Sequence, residues 1–374
     1  MREGGSSELL VVAGEVSGDL HAANLIRELR GLVAGLRVVG IGGERLRAEG
    51  IELLARTEEI AHMGLLEVVR EVGRIRRILL RVASEAARRR PAAAVLVDSP
   101  DFNLRLARRL RSAGIPVVLY VSPQLWAWRR GRVRVVREVA HEVLCILPFE
   151  VPFYRKHGVA ARYVGHPLVD DLAREGLWPP PSRPVPGRLA LLPGSRRSEV
   201  RELLPAMLEA LDRLPPERVR EAVVLAAPGI EEEVLGLAAG RSGGRLRIVA
   251  GEARRAELAA AELAWTASGT ATLECALLGV PMVVGYRLHP LSYRLARRLV
   301  RVPHVALVNL IAGRRLAPEL LQEAWTAGRL VLETEALLAG EAAAQREGLA
   351  TVREAVGGPG ASRRAAEAVA EVMR

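Results

Sequence analysis

Short runs made almost wholly of aliphatic residues recur along this chain. Each is followed by a turn of small or acidic residues and then by a stretch of helical period. The runs fall at 9–13, 37–41, 94–97, 117–121 and 143–146, and again at 189–192, 222–226, 246–249, 263–266 and 282–285. Helix-period stretches such as 22–30, 104–112 and 201–214 lie between them. A strand that is apolar at every position, and not only at alternate ones, is covered on both faces. Strands that alternate with helices read as βαβ units on a parallel sheet. The chain is therefore expected to be α/β. No short-period repeat is visible, which excludes a solenoid.

The series breaks once, at 176–187, where GLWPPPSRPVPG holds five prolines and two glycines. Such a stretch continues neither a helix nor a central strand. It divides 374 residues into two similar halves. The expected organisation is a first Rossmann-like domain at 1–175, a linker at 176–187, a second Rossmann-like domain at 188–345 and a helical tail at 346–374, possibly packing on the first domain. Two doubly wound domains facing a cleft bind ligands outside the carboxyl ends of their strands. Functional residues are thus sought in the strand-to-helix turns.

Composition narrows the partners. Basic residues number 54 against 43 acidic, a formal net charge of +11, and Lys156 is the single lysine. Anionic lipid, phosphorylated small molecules and nucleic acid all fit such a charge, and so does an arginine-rich codon usage. An aromatic content of 3% argues against recognition by base stacking, and no nucleic-acid partner is expected. Two cysteines, Cys145 and Cys275, exclude a disulfide scaffold and fit a reducing compartment. The first residues lack the apolar core of a signal peptide, and no run approaches a membrane span, so any membrane contact is expected to be peripheral. The seven histidines show no metal-ligand spacing, so no metal and no cofactor is expected.

Five turns carry candidate chemistry. Gly14-Glu15-Val16-Ser17-Gly18-Asp19 follows the first strand and opens a helix. Its glycines admit a ligand, while Ser17 or Asp19 also suits an ordinary helix cap. Asp98-Ser99-Pro100-Asp101 ends the 94–97 strand, where a carboxylate can act as general base or simply cap the next helix. Ser122-Pro123-Gln124-Leu125-Trp126-Ala127-Trp128 ends another, offering a sugar or acyl surface, or one core tryptophan and its neighbour. Gly194-Ser195-Arg196 combines backbone amides, a helix start and a guanidinium in a phosphate cradle, without a Walker lysine. Ser268-Gly269-Thr270 suits a second phosphate contact, with Glu274 one turn on, where a carboxylate can accept ribose hydroxyls or serve a packed helix. A long amphipathic stretch at 63–90 sets Leu65, Val68, Val69 and Val72 opposite a row of arginines, as in a core-facing helix or an interfacial one.

Taken in order, AGEVSGDLHAANLIREL, HMGLLEVV, DSPDFN, YVSPQLWAWR and LPFE, then VGHPLVD, LLPGSRRSEV, ASGTATLECALLGVPMVVGYR and LVNLIAG…PELLQE, resemble the lipid-A-disaccharide synthases, a family of GT-B glycosyltransferases. The match runs from about Leu10 to Leu330. The resemblance implies an inverting, metal-independent transfer from UDP-2,3-diacylglucosamine to 2,3-diacylglucosamine 1-phosphate. The products are a β-1,6 disaccharide 1-phosphate and UDP. It implies Asp98 as general base, with Asp101 and Glu15 as rivals. It places Gly194, Ser195, Arg196, Ser268, Gly269, Thr270, Glu274, Asn309 and Gln322 on the donor, and Ser17, Gly18, Asp19 and Trp126 on the acceptor. It further implies peripheral docking at the cytoplasmic face of the bacterial inner membrane through Leu65, Val68, Val69 and Val72, and a possible homodimer exchanging C-terminal segments. The alternative is another GT-B enzyme of the UDP-GlcNAc type, such as a peptidoglycan-precursor glycosyltransferase or an epimerase. A non-catalytic basic binding module is a further possibility, against which the paired carboxylates and phosphate turns argue.

Overall fold

The computed structural model describes residues 7–60, 68–128, 130–181, 184–239, 244–289, 293–294 and 302–374. The chain forms two compact units, one from Met1–Asp170 with Gly358–Arg374 and one from Asp171–Gly357. The division falls ahead of the proline-rich stretch, and Val185–Gly187 already belong to the first strand of the second sheet.

The first unit holds seven parallel strands. They are β1 (Glu8–Ala13), β2 (Arg37–Gly42), β3 (Glu52–Arg56), β4 (Ala93–Val97), β5 (Val117–Tyr120), β6 (Glu142–Cys145) and β7 (Ala161–Tyr163). Their spatial order is β3-β2-β1-β4-β5-β6-β7. Every side chain of β1, β4 and β5 is buried, as an aliphatic strand covered on both faces requires. Between them run α1 (Val16–Arg30), α2 (Glu44–Ala48), α3 (Val68–Arg89), α4 (Pro100–Ser112), α5 (Val133–Val139), α6 (Glu150–Lys156) and α7 (Pro167–Arg174). In α4, Phe102, Leu106 and Leu110 face the core at helical spacing, while Arg105, Arg108 and Arg109 face solvent.

The second unit holds six parallel strands in the order β10-β9-β8-β11-β12-β13. These are β8 (Val185–Leu192), β9 (Glu221–Leu225), β10 (Leu246–Val249), β11 (Ala261–Ala267), β12 (Met282–Tyr286) and β13 (Glu319–Leu321). Their helices include α8 (Arg197–Arg213), α9 (Glu231–Ala238), α10 (Ala253–Ala259) and α11 (Thr270–Leu278). Two buried tryptophans anchor the core and keep their indole N–H groups bonded. Trp265 donates to Thr334 Oγ1 at 2.9 Å and Trp325 to the Leu203 carbonyl at 3.1 Å. Gly285 is small because a Cβ there would lie 2.4 Å from the Trp325 ring.

In each sheet the chain winds outward from a central strand and then returns to its other side. The reversal lies between β1 and β4 in one sheet and between β8 and β11 in the other. Such switch points open a crevice at the strands' carboxyl ends, where ligands of α/β proteins sit. The turns after these four strands are those containing Gly14, Asp98, Gly194 and Ser268.

Of the C-terminal segment, helix Ala342–Val356 belongs to the second unit, and the last helix, Ala361–Met373, belongs to the first and packs on α1. Its buried face is nearly all alanine. Asp170 fixes its start: Oδ1 accepts from the Gly360 and Ala361 N–H groups at 2.6 and 3.1 Å, and Oδ2 from Ser362 at 2.9 Å. Arg364 bonds the Val164 carbonyl at 2.8 Å and so ties the last helix to the strand end before α7. Among the described residues, no helix is long and apolar enough to cross a membrane. Leu65 lies outside the described residues, as do the side chains of Val68, Val69 and Val72.

Replacing Asp170 by Ala leaves three first-turn N–H groups without their acceptor. The expected loss is about 1–3 kcal/mol of stability, read as a lower urea midpoint. An unchanged midpoint would contradict the capping role.

Candidate active site

The turn from β4 into α4 is the most strained part of the first unit's crevice. Asp98 and Ser99 are consecutive non-glycine residues with φ of 55° and 40°. Such conformations cost about 1–3 kcal/mol each and persist only where the surroundings enforce them. Here Asn103 enforces them, donating from Nδ2 to the carbonyls of Val97 at 3.1 Å and Asp98 at 2.7 Å. Gly14 leaves the room: a Cβ there would lie 2.1 Å from the Ser99 Cβ. The glycine of the first turn is thus dictated by the turn beside it.

Asp98 stands against the start of α1, its Cβ 3.7 Å from where a Gly18 side chain would begin. Burial, helped by the charge of Glu15, raises its carboxyl to about 6. The Ser99 N–H, 2.9 Å from Oδ1, opposes that shift by stabilising the ionised form. No hydrogen bond from a described residue reaches Oδ2. Asp98 is therefore a carboxylate ionised at neutral pH, with one oxygen held and the other open, which suits a general base.

The other first-unit candidates separate. Glu15 is exposed at the N-cap of α1, and no side chain caps that helix. Ser17 is exposed one turn away. Asp19 is a structural residue: it accepts from the N–H groups of Gly43, Arg45 and Leu46 at 2.7, 2.9 and 3.3 Å and so caps α2. Both its oxygens are engaged in that cap. Asp101, the rival base, is paired with Arg132 at 2.5 Å on the flank of α4.

The loop after β5 begins at Val121, another left-handed residue with φ of 57°. Glu150, at the head of α6, holds this loop from beneath. It accepts from Ser122 Oγ at 2.6 Å, Trp126 Nε1 at 3.1 Å and the N–H groups of Ile146 and Leu147 at 3.2 and 3.0 Å. Burial lifts its carboxyl to about 7 against these hydrogen bonds. Trp126 is buried edge-to-face on Phe149 at 4.8 Å, so it shapes the loop from within. Trp128, 38% exposed, is the tryptophan that the loop presents to solvent.

In the second unit, Gly194 (φ 115°) makes way for Glu199, whose carboxylate would be 2.5 Å from a Cβ there. Glu199 accepts from the N–H groups of Ser195 and Arg196 at 3.0 and 3.3 Å and pairs with the Arg196 guanidinium at 2.9 Å. The expected cradle amide of Ser195 is thus filled internally. What remains for an anion is the Arg196 side chain, 77% exposed, and the first-turn N–H groups of α8. Across the switch point, Gly269 (φ 141°) has open space beside it and Thr270 is exposed at the uncapped start of α11. Ser268 Oγ bonds the Val305 carbonyl at 2.9 Å. Glu274 is buried and pairs through Oε1 with Arg255 Nε at 2.7 Å.

Asn309 and Gln322, expected on the nucleotide side, are both buried and hydrogen-bonded within the second unit. Asn309 is fully buried, with Nδ2 bonded to the Ala317 carbonyl and Glu319 and Oδ1 accepting from Leu316 and Ala317. Gln322 clasps the backbone N–H and carbonyl of Leu288 at 2.6 and 2.9 Å. Sequence reasoning missed the residues that set these turns, namely Asn103, Glu150, Glu199, Arg255 and Glu319. Only Glu199 carried a local signal, a carboxylate three residues after the Arg196 cap. Among the described residues, no group of three or more His, Cys, Asp or Glu could hold a metal ion.

The family model described as lipid-A-disaccharide synthetase matches residues 9–372. The chain is 47% identical to the lipid-A-disaccharide synthase of Anaeromyxobacter dehalogenans, covering 99% of this chain and 98% of that protein. It is 46% identical to that of Myxococcus xanthus, covering 98% and 97%. Its fold matches a UDP-GlcNAc 2-epimerase of Neisseria meningitidis bound to UDP-GlcNAc, at a TM-score of 0.67 and 11% identity over 97% of this chain and 100% of that one. It also matches the calicheamicin glycosyltransferase CalG4, at 0.63 and 18% identity over 100% and 98%. These structural neighbours make the fold GT-B. By sequence identity and by family model, the chain belongs to the lipid-A-disaccharide synthase family of glycosyltransferases.

Proposed function

We propose that the chain condenses UDP-2,3-diacylglucosamine with 2,3-diacylglucosamine 1-phosphate, inverting the anomeric centre and using no metal. The observation that carries this reading is the Asp98 turn, a strained carboxylate with one open oxygen at a switch point. Asp98 takes the proton of the acceptor 6-hydroxyl as that oxygen attacks the anomeric carbon. The carbon–oxygen bond to UDP breaks, and the electron pair leaves with the diphosphate. Arg196, exposed and cationic beside the open helix start of α8, meets the charge that develops there. The uncapped start of α11 at Gly269 and Thr270 supplies a second set of N–H donors. Glu274, with Oε1 held by Arg255, keeps Oε2 for the ribose. Both substrates are acylated, so the enzyme works peripherally at the cytoplasmic face of the inner membrane, where residues 65–72 make the contact.

A mass-spectrometric turnover assay tests this reading, with UDP-GlcNAc as the parallel donor. Disaccharide is expected from the acylated donor alone, and turnover of UDP-GlcNAc would overturn the substrate assignment. EDTA should leave the rate unchanged; loss restored by Mg²⁺ would contradict the metal-free mechanism.

Asp98→Asn should lower kcat by about 10²–10⁴ while UDP affinity stays. The pH profile follows from the same group. A base with its carboxyl at about 6 is active when deprotonated, so kcat/KM is full above pH 6 and falls below it, tenfold per pH unit. A profile flat down to pH 5 would move the base elsewhere. Arg196→Ala should weaken UDP binding about tenfold, measured by calorimetry; unchanged affinity would remove it from the donor site.

A further inference from the structure

Some arginines of this protein are spent on carboxylates: Arg188 and Arg247 share Glu221 and Glu257, Arg89 takes Glu52 and Glu85, and Arg255 takes Glu274, Glu175 and Asp171. On the solvent face of α4, two that line a groove are not. Arg105 and Arg108, exposed and one turn apart, form no ion pair with a described residue. They rim a groove between α4 and α5, about 130 Å³ in volume, whose third cationic wall is Arg132. Pro100, Leu104 and Val135 give it an apolar floor.

Two features make this groove more than a charged surface. Asp101 lies in it but is paired across the helices with Arg132 at 2.5 Å, which holds that guanidinium over the opening. Three arginines less one aspartate leave a net charge of +2, matching the roughly −1.5 to −2 charge of a phosphate monoester. The groove also begins at Pro100, the residue after the Asp98–Ser99 turn. The apolar floor suits a phosphate carried on a lipid stem.

We infer that the groove between α4 and α5 binds a phosphate group carried on a lipid, through Arg105, Arg108 and Arg132. Two lipids offer that chemistry, the acylated sugar 1-phosphate acceptor and an anionic phospholipid. Assignment to the acceptor rests on the function proposed above; phosphate binding itself does not.

The test is the full-length double variant Arg105→Ala/Arg108→Ala, both exposed and therefore neutral to folding. Arg109→Ala/Arg111→Ala is the control, since it removes the same charge from exposed positions of α4 outside the groove. Three readouts are taken: the KM for acceptor in detergent, the affinity for UDP, and flotation with phosphatidylglycerol or phosphatidylcholine vesicles. An acceptor KM raised about tenfold, with UDP affinity unchanged, assigns the groove to the acceptor phosphate. Unchanged KM with loss of phosphatidylglycerol binding alone assigns it to a phospholipid. The inference is overturned if neither readout moves, or if the Arg109/Arg111 pair moves it equally, which would show a general field and not a groove. If the wild-type chain turns over no acylated sugar, the proposed function fails, while vesicle flotation still reads the groove.

Discussion

A parallel sheet buried on both faces leaves polar chemistry nowhere to go but its ends. In this protein the central strands are almost wholly apolar and buried toward their carboxyl ends, which leaves little polar chemistry along them. Chemistry is confined to the turns at the carboxyl ends, and the order of the strands selects which turns are open. At β1/β4 and β8/β11 the winding reverses and the following helices diverge. The strained Asp98 turn, the first turn of α1, and the starts of α8 and α11 all lie at those reversals. The location of the site thus follows from burial and winding before any catalytic residue is considered.

The turns are then shaped by carboxylates that bond the backbone. Asp19 caps α2, Asp170 caps the last helix, Glu150 holds the Ser122 loop, Glu199 closes the Gly194 turn, and Glu319 bonds the N–H groups of Val305 and Ala306. Each satisfies donors that a helix start or tight turn leaves unpaired, and each is favoured there by the helix dipole. The consequence for Gly194-Ser195-Arg196 is specific. Its backbone cannot serve as an open anion nest, because an internal anion already occupies two of its amides. Recognition shifts to the exposed guanidinium and to N–H groups deeper in the first turn of α8.

This division explains what could be read from the sequence. All ten aliphatic runs are strands, because continuous burial leaves a strong compositional trace. The three strands not foreseen, β3, β7 and β13, end their sheets, run three to five residues and carry Arg or Glu. Their signal lies in the neighbour they pair with. The family resemblance was legible from motifs to about Leu330, whereas the family model continues to residue 372. The last helix buries small alanines, which fit many helices and mark none. Among the candidate residues, the place of Asp98 in the fold was legible because it ends an apolar strand. The cap that Asp19 makes was not, because the amides it bonds lie 24 to 27 residues away. Nor were the bonds by which Asn309 closes its loop, since a motif does not show which backbone groups its polar residue meets.

The strain at Asp98 and Ser99 is where the two kinds of residue meet. Glycine at both positions would relieve it, but glycine has no carboxylate, and the reaction as proposed needs one at that point. The strain is offset by groups that do nothing else: Asn103 bonding two carbonyls, Gly14 withholding a side chain from Ser99, and the buried strand beneath. The same backbone that holds Asp98 also gives it the Ser99 N–H, which keeps the carboxylate ionised despite its burial. Relaxing the turn would therefore cost Asp98 both its direction and part of its charge. Position 14, in a different turn and 84 residues before Asp98, is thus constrained by the geometry of the Asp98 turn.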